Sequence, residues 1–156
     1  MWTFDIPSYG VLELAHVVTD FNGTLACDGA LLPGVGERVA QLARQVEVHV
    51  VTGDLHGTAR DQLRDLPCRV HLLTPFDQAR QKCDYLLDLG AVRAVAIGNG
   101  RNDRLMLAAA ALGIAVLEAE TAAAPALLSA TLVARDIHTA LDLLLFPQRL
   151  VASLRG

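Results

Sequence analysis

Short β-branched runs alternate with helix-spaced segments along most of this chain, and that alternation restricts the fold more than any other feature. Leu12 to Thr19, Val46 to Val51, Arg69 to Leu73 and Ala94 to Ile97 read as strands, with shorter candidates at Ile114 to Leu117 and Leu132-Val133. Between them, Val35, Val39 and Leu42 share one helical face after Pro33-Gly34. Ala79, Cys83, Leu86 and Leu87 do the same before Gly90, which stops the helix. Ile137, Leu141 and Leu144 repeat the pattern behind Asp136, a predicted N-cap. Strands separated by helices of this length pair in parallel and are covered on both faces. The expected fold is a three-layer α/β/α, Rossmann-like domain with a mainly parallel sheet. Met1 to Tyr9, closed by Gly10, adds an edge strand or a hairpin.

The chain has 156 residues, the size of one compact domain, and no linker or repeat divides residues 1–156. It is 53% hydrophobic and 19% charged. That suits sheets buried on both faces, or a subunit interface, so a homo-oligomer is an open expectation. The apolar residues come in short runs, none able to cross a bilayer, and no membrane partner is expected. The first residues lack the basic and apolar regions of a signal peptide, which predicts a cytoplasmic protein. Net charge is −4 without a basic stripe, which argues against a nucleic-acid partner. Cys27, Cys68 and Cys83 form no C-x-x-C pair and read as reduced thiols.

In a parallel sheet of this kind, ligands bind beyond the carboxyl ends of the strands. Three polar turns fall there. Asp20-Phe21-Asn22-Gly23-Thr24 follows the first main strand, Thr52-Gly53-Asp54 the second, and Gly98-Asn99-Gly100-Arg101-Asn102-Asp103 the fourth. Singly, each has an ordinary use as a turn or helix cap, and Lys82 as a solvated helix residue. Together they would converge on one crevice.

In order and spacing, Asp20 to Thr24, Thr52 to Asp54, Lys82 and Gly98 to Asp103 resemble the four motifs of the haloacid dehalogenase superfamily. The nearest pattern is that of the P-type ATPase phosphorylation domain, D-K-T-G-T, T-G-D and G-D-G-x-N-D, and the chain looks most like the small soluble members of that group. The resemblance covers nearly the whole length and implies a Mg²⁺-dependent hydrolase of phosphorylated substrates. By that analogy Asp20 is the nucleophile that forms an aspartyl phosphate. Asp20, the backbone carbonyl of Asn22, and Asn99 or Asp103 would supply oxygen ligands to magnesium. Lys82 would balance charge, while Thr52, Gly53 and Asn102 would hold phosphate oxygens.

Two positions depart from the phosphatase pattern. Many superfamily phosphatases carry Asp where Asn22 stands, and an amide cannot shuttle a proton. Turnover is therefore expected to be slow, or restricted to good leaving groups. Asn99 replaces a second Asp, which removes negative charge beside the metal. The gaps from Thr24 to Thr52 and from Asp54 to Lys82 have no room for a cap domain, so a single capless domain is expected, with the bend from Ala26 to Leu32 as a small flap. A non-catalytic phosphate- or metal-binding regulator on the same fold is the alternative. Of the histidines, His16 and His49 read as packing or edge residues, and His56 as a residue at the mouth of the crevice.

Overall fold

The computed structural model describes residues 1–156. β1 (Trp2–Ile6) and β2 (Gly10–Leu14) form an antiparallel hairpin, and the chain then enters β3 (His16–Thr19). The run expected as one strand, Leu12 to Thr19, is thus two strands in two sheets. Ala15 marks the change: its amide leaves the hairpin and donates to the Arg93 carbonyl at 2.8 Å.

After β3 come a small hairpin of β4 (Ala26–Cys27) and β5 (Ala30–Leu31), then α1 (Val35–Leu42) and β6 (Glu47–Thr52). There follow α2 (Ala59–Gln62), β7 (Arg69–Leu72), α3 (Gln78–Leu89), β8 (Ala94–Gly98) and α4 (Arg104–Ala109). The chain finishes with β9 (Leu112–Val116), α5 (Ala124–Ser129), β10 (Leu132–Ala134), α6 (Ile137–Leu145) and α7 (Pro147–Leu154). The main sheet has the order β10-β9-β8-β3-β6-β7, and every pair in it is parallel. The chain runs outward from β3 through β6 to β7, then crosses back to β8 and runs outward on the other side. β3 and β8 therefore flank the topological switch point, where such sheets open a crevice.

Alternation along the strands sorts residues between two cores. Val17, Val48, Val50, Val95 and Ile97 pack with Val35, Val39 and Leu42 of α1 and Ile137, Leu141 and Leu144 of α6. On the other face, Val18, Val51, Ala94 and Ala96 meet Leu86, Met106, Leu107 and Ala126 of α3, α4 and α5. The small alanines of β8 let α3 lie close to the sheet. Asp136 caps α6 as expected, accepting the Thr139 amide at 2.7 Å.

The face of α3 differs from the sequence reading. Ala79, Lys82 and Leu86 are buried, whereas Leu87 is 53% exposed and Cys83 only half-buried. The helix is rotated so that a lysine, not a cysteine, points inward. The bend from Ala26 to Leu32, expected as a small flap, forms the short β4–β5 hairpin. The β4–β5 hairpin is pinned where Thr58 Oγ1 donates to the Gly29 carbonyl at 2.7 Å and the Leu31 amide donates to Gln62 Oε1 at 3.0 Å. No helix is long and apolar enough to cross a membrane.

Candidate active site

β3 ends against both neighbours, and Asp20 extends its ladder by donating its amide to the Ile97 carbonyl at 3.0 Å. Its carboxylate stands at the carboxyl edge of the sheet, between the turns that follow β6 and β8. The next residues turn sharply. Gly23 has φ 77°, and a side chain there would run into the Asn99 amide, 2.5 Å from the nearest atom. Asn99 is fixed on both sides: its Oδ1 accepts from Thr24 Oγ1 at 3.3 Å, and its Nδ2 donates to the Thr121 carbonyl at 2.9 Å.

Asp103 organises the turn after β8. Its Oδ2 accepts the amides of Asn99 at 2.9 Å and Gly100 at 2.8 Å, and its Oδ1 faces Lys82. The carboxylate fills the space a side chain on Gly98 would need. Lys82, 1% exposed, reaches from α3 to Asp20 Oδ1 at 2.8 Å and to Asp103 Oδ1 at 2.7 Å, with Asn102 Oδ1 at 3.5 Å. The Asn102 amide also donates to Gln78 Oε1 at 3.3 Å.

Above this buried ion triad lies a polar crevice of about 300 Å³. Asp20, Asn22, Thr52, Gly53, Asn99 and Asn102 line it, joined by Asp54, Leu55, Gln78 and Gly100. Lys82 and Asp103 form its floor rather than its wall. Asn22 Oδ1 is buried without a hydrogen-bond partner, and Asp20 Oδ2 is held by no side chain. Thr52 Oγ1 accepts the Asp54 amide at 3.0 Å, and the Asp54 carboxylate caps α2 through the amides of Thr58 and Ala59. The Gly53 amide donates to no protein acceptor.

The sheet thus gathers all eight residues singled out from sequence, though not on equal terms. Asp103, expected as a metal ligand, has both oxygens engaged by Lys82 and by backbone amides. Two participants escape the sequence pattern. Gln78 overlies Gly53 and bonds Asn102; its signal is its place one turn before Lys82 on α3. Thr121 anchors Asn99 from a loop that carries no sequence signal. His56 does not line the crevice.

Burial, reinforced by Asp103, raises the Asp20 carboxyl to about 6, against the pull of Lys82. Burial alone would lower the Lys82 ammonium; Asp20 and Asp103 outweigh it and hold it above its ordinary value. A folded pKa above the unfolded 3.8 means that the folded protein holds extra protons between roughly pH 4 and 6. Ionised Asp20 therefore lowers stability above pH 6 and costs nothing below pH 4. His49, pushed down to about 4 by burial and by His16, acts oppositely, adding stability as pH rises from 4 to 6.5. Without divalent ions, Asp20→Asn is expected to be more stable than wild type at pH 7.5, by up to about 3 kcal/mol. That difference should vanish near pH 4. Urea unfolding of the two proteins across this range measures the Asp20 contribution, because the His49 contribution cancels. A constant difference at all pH values refutes it.

This sheet order, with its crevice at the switch point, defines the class: the protein has the haloacid dehalogenase fold. The chain belongs to the same family as an uncharacterized protein of Methanocaldococcus jannaschii, with 49% identity over 63 residues, 40% of this chain and 68% of that protein. No family model matches the chain. Among solved structures, the cobalt-bound deoxy-D-mannose-octulosonate 8-phosphate phosphatase of Haemophilus influenzae aligns with a TM-score of 0.71 and 18% identity, over 87% of this chain and 90% of that one. The 3-deoxy-D-manno-octulosonate 8-phosphate phosphatase of Yersinia pestis aligns with a TM-score of 0.70 and 17% identity, over 99% and 97%. The corresponding phosphatase of Moraxella catarrhalis, in complex with magnesium, phosphate and KDO, aligns with a TM-score of 0.65 and 12% identity, over 91% and 87%.

Proposed function

We propose that this protein is a magnesium-dependent phosphohydrolase that acts through a phosphorylated Asp20. One observation carries the reading: Asp20 has one oxygen on a buried ammonium, while the other is held by no side chain in a polar crevice. A carboxylate raised to about 6 and aimed at such a space is poised to react rather than to brace the fold.

The donors suit magnesium, which prefers hard oxygen ligands and retains several waters. Asp20, the Asn22 carbonyl and Asn99 Oδ1 would hold it, and the partnerless Asn22 Oδ1 is the kind of buried acceptor that a hydrated cation satisfies. Asp103 is assigned in this reading to holding Lys82 and the turn after β8. When bound, the ion neutralises phosphate charge and lowers the repulsion met by an attacking carboxylate.

In the first step an Asp20 oxygen attacks phosphorus, and the bond to the leaving oxygen breaks. Lys82, Thr52 Oγ1, the Gly53 amide and Asn102 steady the phosphoryl oxygens. In the second, water attacks the same phosphorus, releasing inorganic phosphate and restoring Asp20. Asn22 can neither protonate the leaving oxygen nor activate that water, so both protons pass through solvent and turnover is slow.

The substrate is a phosphorylated compound. Within a single capless domain, the open crevice is covered by the substrate's own bulk or by a neighbouring subunit; Leu55, 85% exposed at its rim, offers an apolar contact for either. The cytoplasm is the expected location. The alternative, a phosphate-binding regulator without turnover, draws on the same Asn22. Acetyl phosphate with Mg²⁺ is expected to label wild type at one acid-stable, hydroxylamine-sensitive site per chain. Asp20→Ala should remove the label, and chelation should stop turnover until Mg²⁺ is restored. Binding of phosphate without label or turnover would establish the regulator instead.

A further inference from the structure

At the opposite end of the sheet stands a second cluster of chemically competent side chains. His16 opens β3 and pairs in register with Glu47, which opens β6. Two-residue periodicity puts Glu47 and His49 on one face of β6, and it is the face that α3 covers. His16 Nδ1 lies 3.3 Å from His49 Nε2, and Glu47 Oε2 lies 3.8 Å and 3.5 Å from those two atoms. A triangle with these sides has its centre about 2.1 Å from each corner, within the roughly 2.0–2.2 Å of Zn–N and Zn–O bonds. Two imidazoles and one carboxylate form a donor set suited to zinc-like transition metals, not to magnesium.

The surroundings support the geometry. His49 is fully buried, and its Nδ1 bonds the Tyr85 hydroxyl at 2.8 Å. With the proton on Nδ1, the Nε2 lone pair faces the other two donors, the arrangement that a supporting partner imposes on a ligating histidine. Tyr85 is itself packed against the His71 ring, 4.7 Å between centroids. His16 is 18% exposed and lines a surface depression with Glu47, Ala15 and Gln45, which leaves room for a water as fourth ligand. Arg69, 3.7 Å from Glu47 Oε2, is the one competing cation; it is largely exposed and free to swing into solvent.

We infer that His16, Glu47 and His49 form a site for one transition-metal ion of the zinc class, distinct from the phosphate crevice. The ion would clamp the amino ends of β3 and β6. Through His49 and Tyr85 it would also brace α3, the helix that carries Lys82 one turn earlier.

Cobalt is the probe, because its visible absorption reports coordination directly. The metal-free protein is titrated with Co²⁺ in excess Mg²⁺, the ion that the proposed function assigns to the crevice. One equivalent should give visible bands that Zn²⁺ displaces, and Zn²⁺ should raise the melting temperature. Glu47→Gln and His16→Gln should weaken Co²⁺ binding at least tenfold and abolish the thermal shift; Tyr85→Phe should weaken it by about tenfold. Asp20→Ala and Cys27→Ser should bind as wild type, the latter excluding the small Cys27, Asp28 and Glu120 group. Glu47 is half-exposed, so its variant folds whatever befalls His16→Gln. No stoichiometric cobalt band, or wild-type affinity in Glu47→Gln, overturns the site. So does a band lost in Asp20→Ala.

Discussion

Asn22→Asp is expected to raise the turnover of alkyl phosphates by roughly 10²–10⁴, the usual contribution of a positioned general acid and base. The substitution is isosteric. No protein partner holds Asn22 Oδ1, so the new carboxyl can enter the same space without breaking a hydrogen bond. Asp20 beside it disfavours a second negative charge and keeps the new group protonated when the leaving oxygen departs. Having given up its proton, it can take one from the water of the second step. The gain should be smaller for p-nitrophenyl phosphate, whose leaving group needs no proton. Steady-state rates for an alkyl and an aryl substrate, with Asn22→Ala as the control, measure the effect. Equal rates in Asn22→Asp and wild type, with Asp20→Ala inactive, would show that this side chain does not reach the leaving oxygen.

Lys82→Met is expected to lower stability at pH 7.5 by about 3–5 kcal/mol, the usual consequence of stripping the partner from buried charge. In a chain of this length that corresponds to a melting temperature lower by roughly 6–20 °C. Methionine matches the lysine stem in length, so packing along α3 survives and the loss is electrostatic. Asp20 and Asp103 are left facing each other without a cation, which pushes Asp20 further above its ordinary range. The defect should therefore shrink as pH falls towards 6, because in the variant a proton takes the ammonium's place above that pH. Adding Asp20→Asn should restore much of the stability and none of the activity. Calorimetry of the single and double variants at pH 5 and 7.5 separates this from a packing defect, which would be indifferent both to pH and to the added Asp20→Asn change.

The strand-end turns are legible because each carries an acid and a glycine in a local pattern that terminates an apolar run. The orientation of α3 is not. Hydrophobic spacing favours Cys83 and Leu87 as inward positions, since a lysine is rarely buried. Two carboxylates from distant segments reverse that rule at Lys82, and neither lies near it in sequence. The same non-locality hides the occupation of Asp103, which depends on amides freed by the turn after β8. Thr121 is beyond reach for a similar reason: only a backbone carbonyl takes part. The Leu12 to Thr19 run reads as one strand because hydropathy does not register a change of partner at Ala15. His16 and His49 read as packing or edge residues because the pairing of β3 with β6, and the register that sets His16 opposite Glu47, are tertiary facts.

The two methyl groups that β8 offers to α3, at Ala94 and Ala96, set the clearance between helix and sheet. The reach of the ammonium to its carboxylates is thus gauged from below, by positions that no ligand touches. Natural variation at these alanines should be narrow for reasons unrelated to foldability. An added branch there would lift the whole rod and detune the chemistry while leaving the architecture intact.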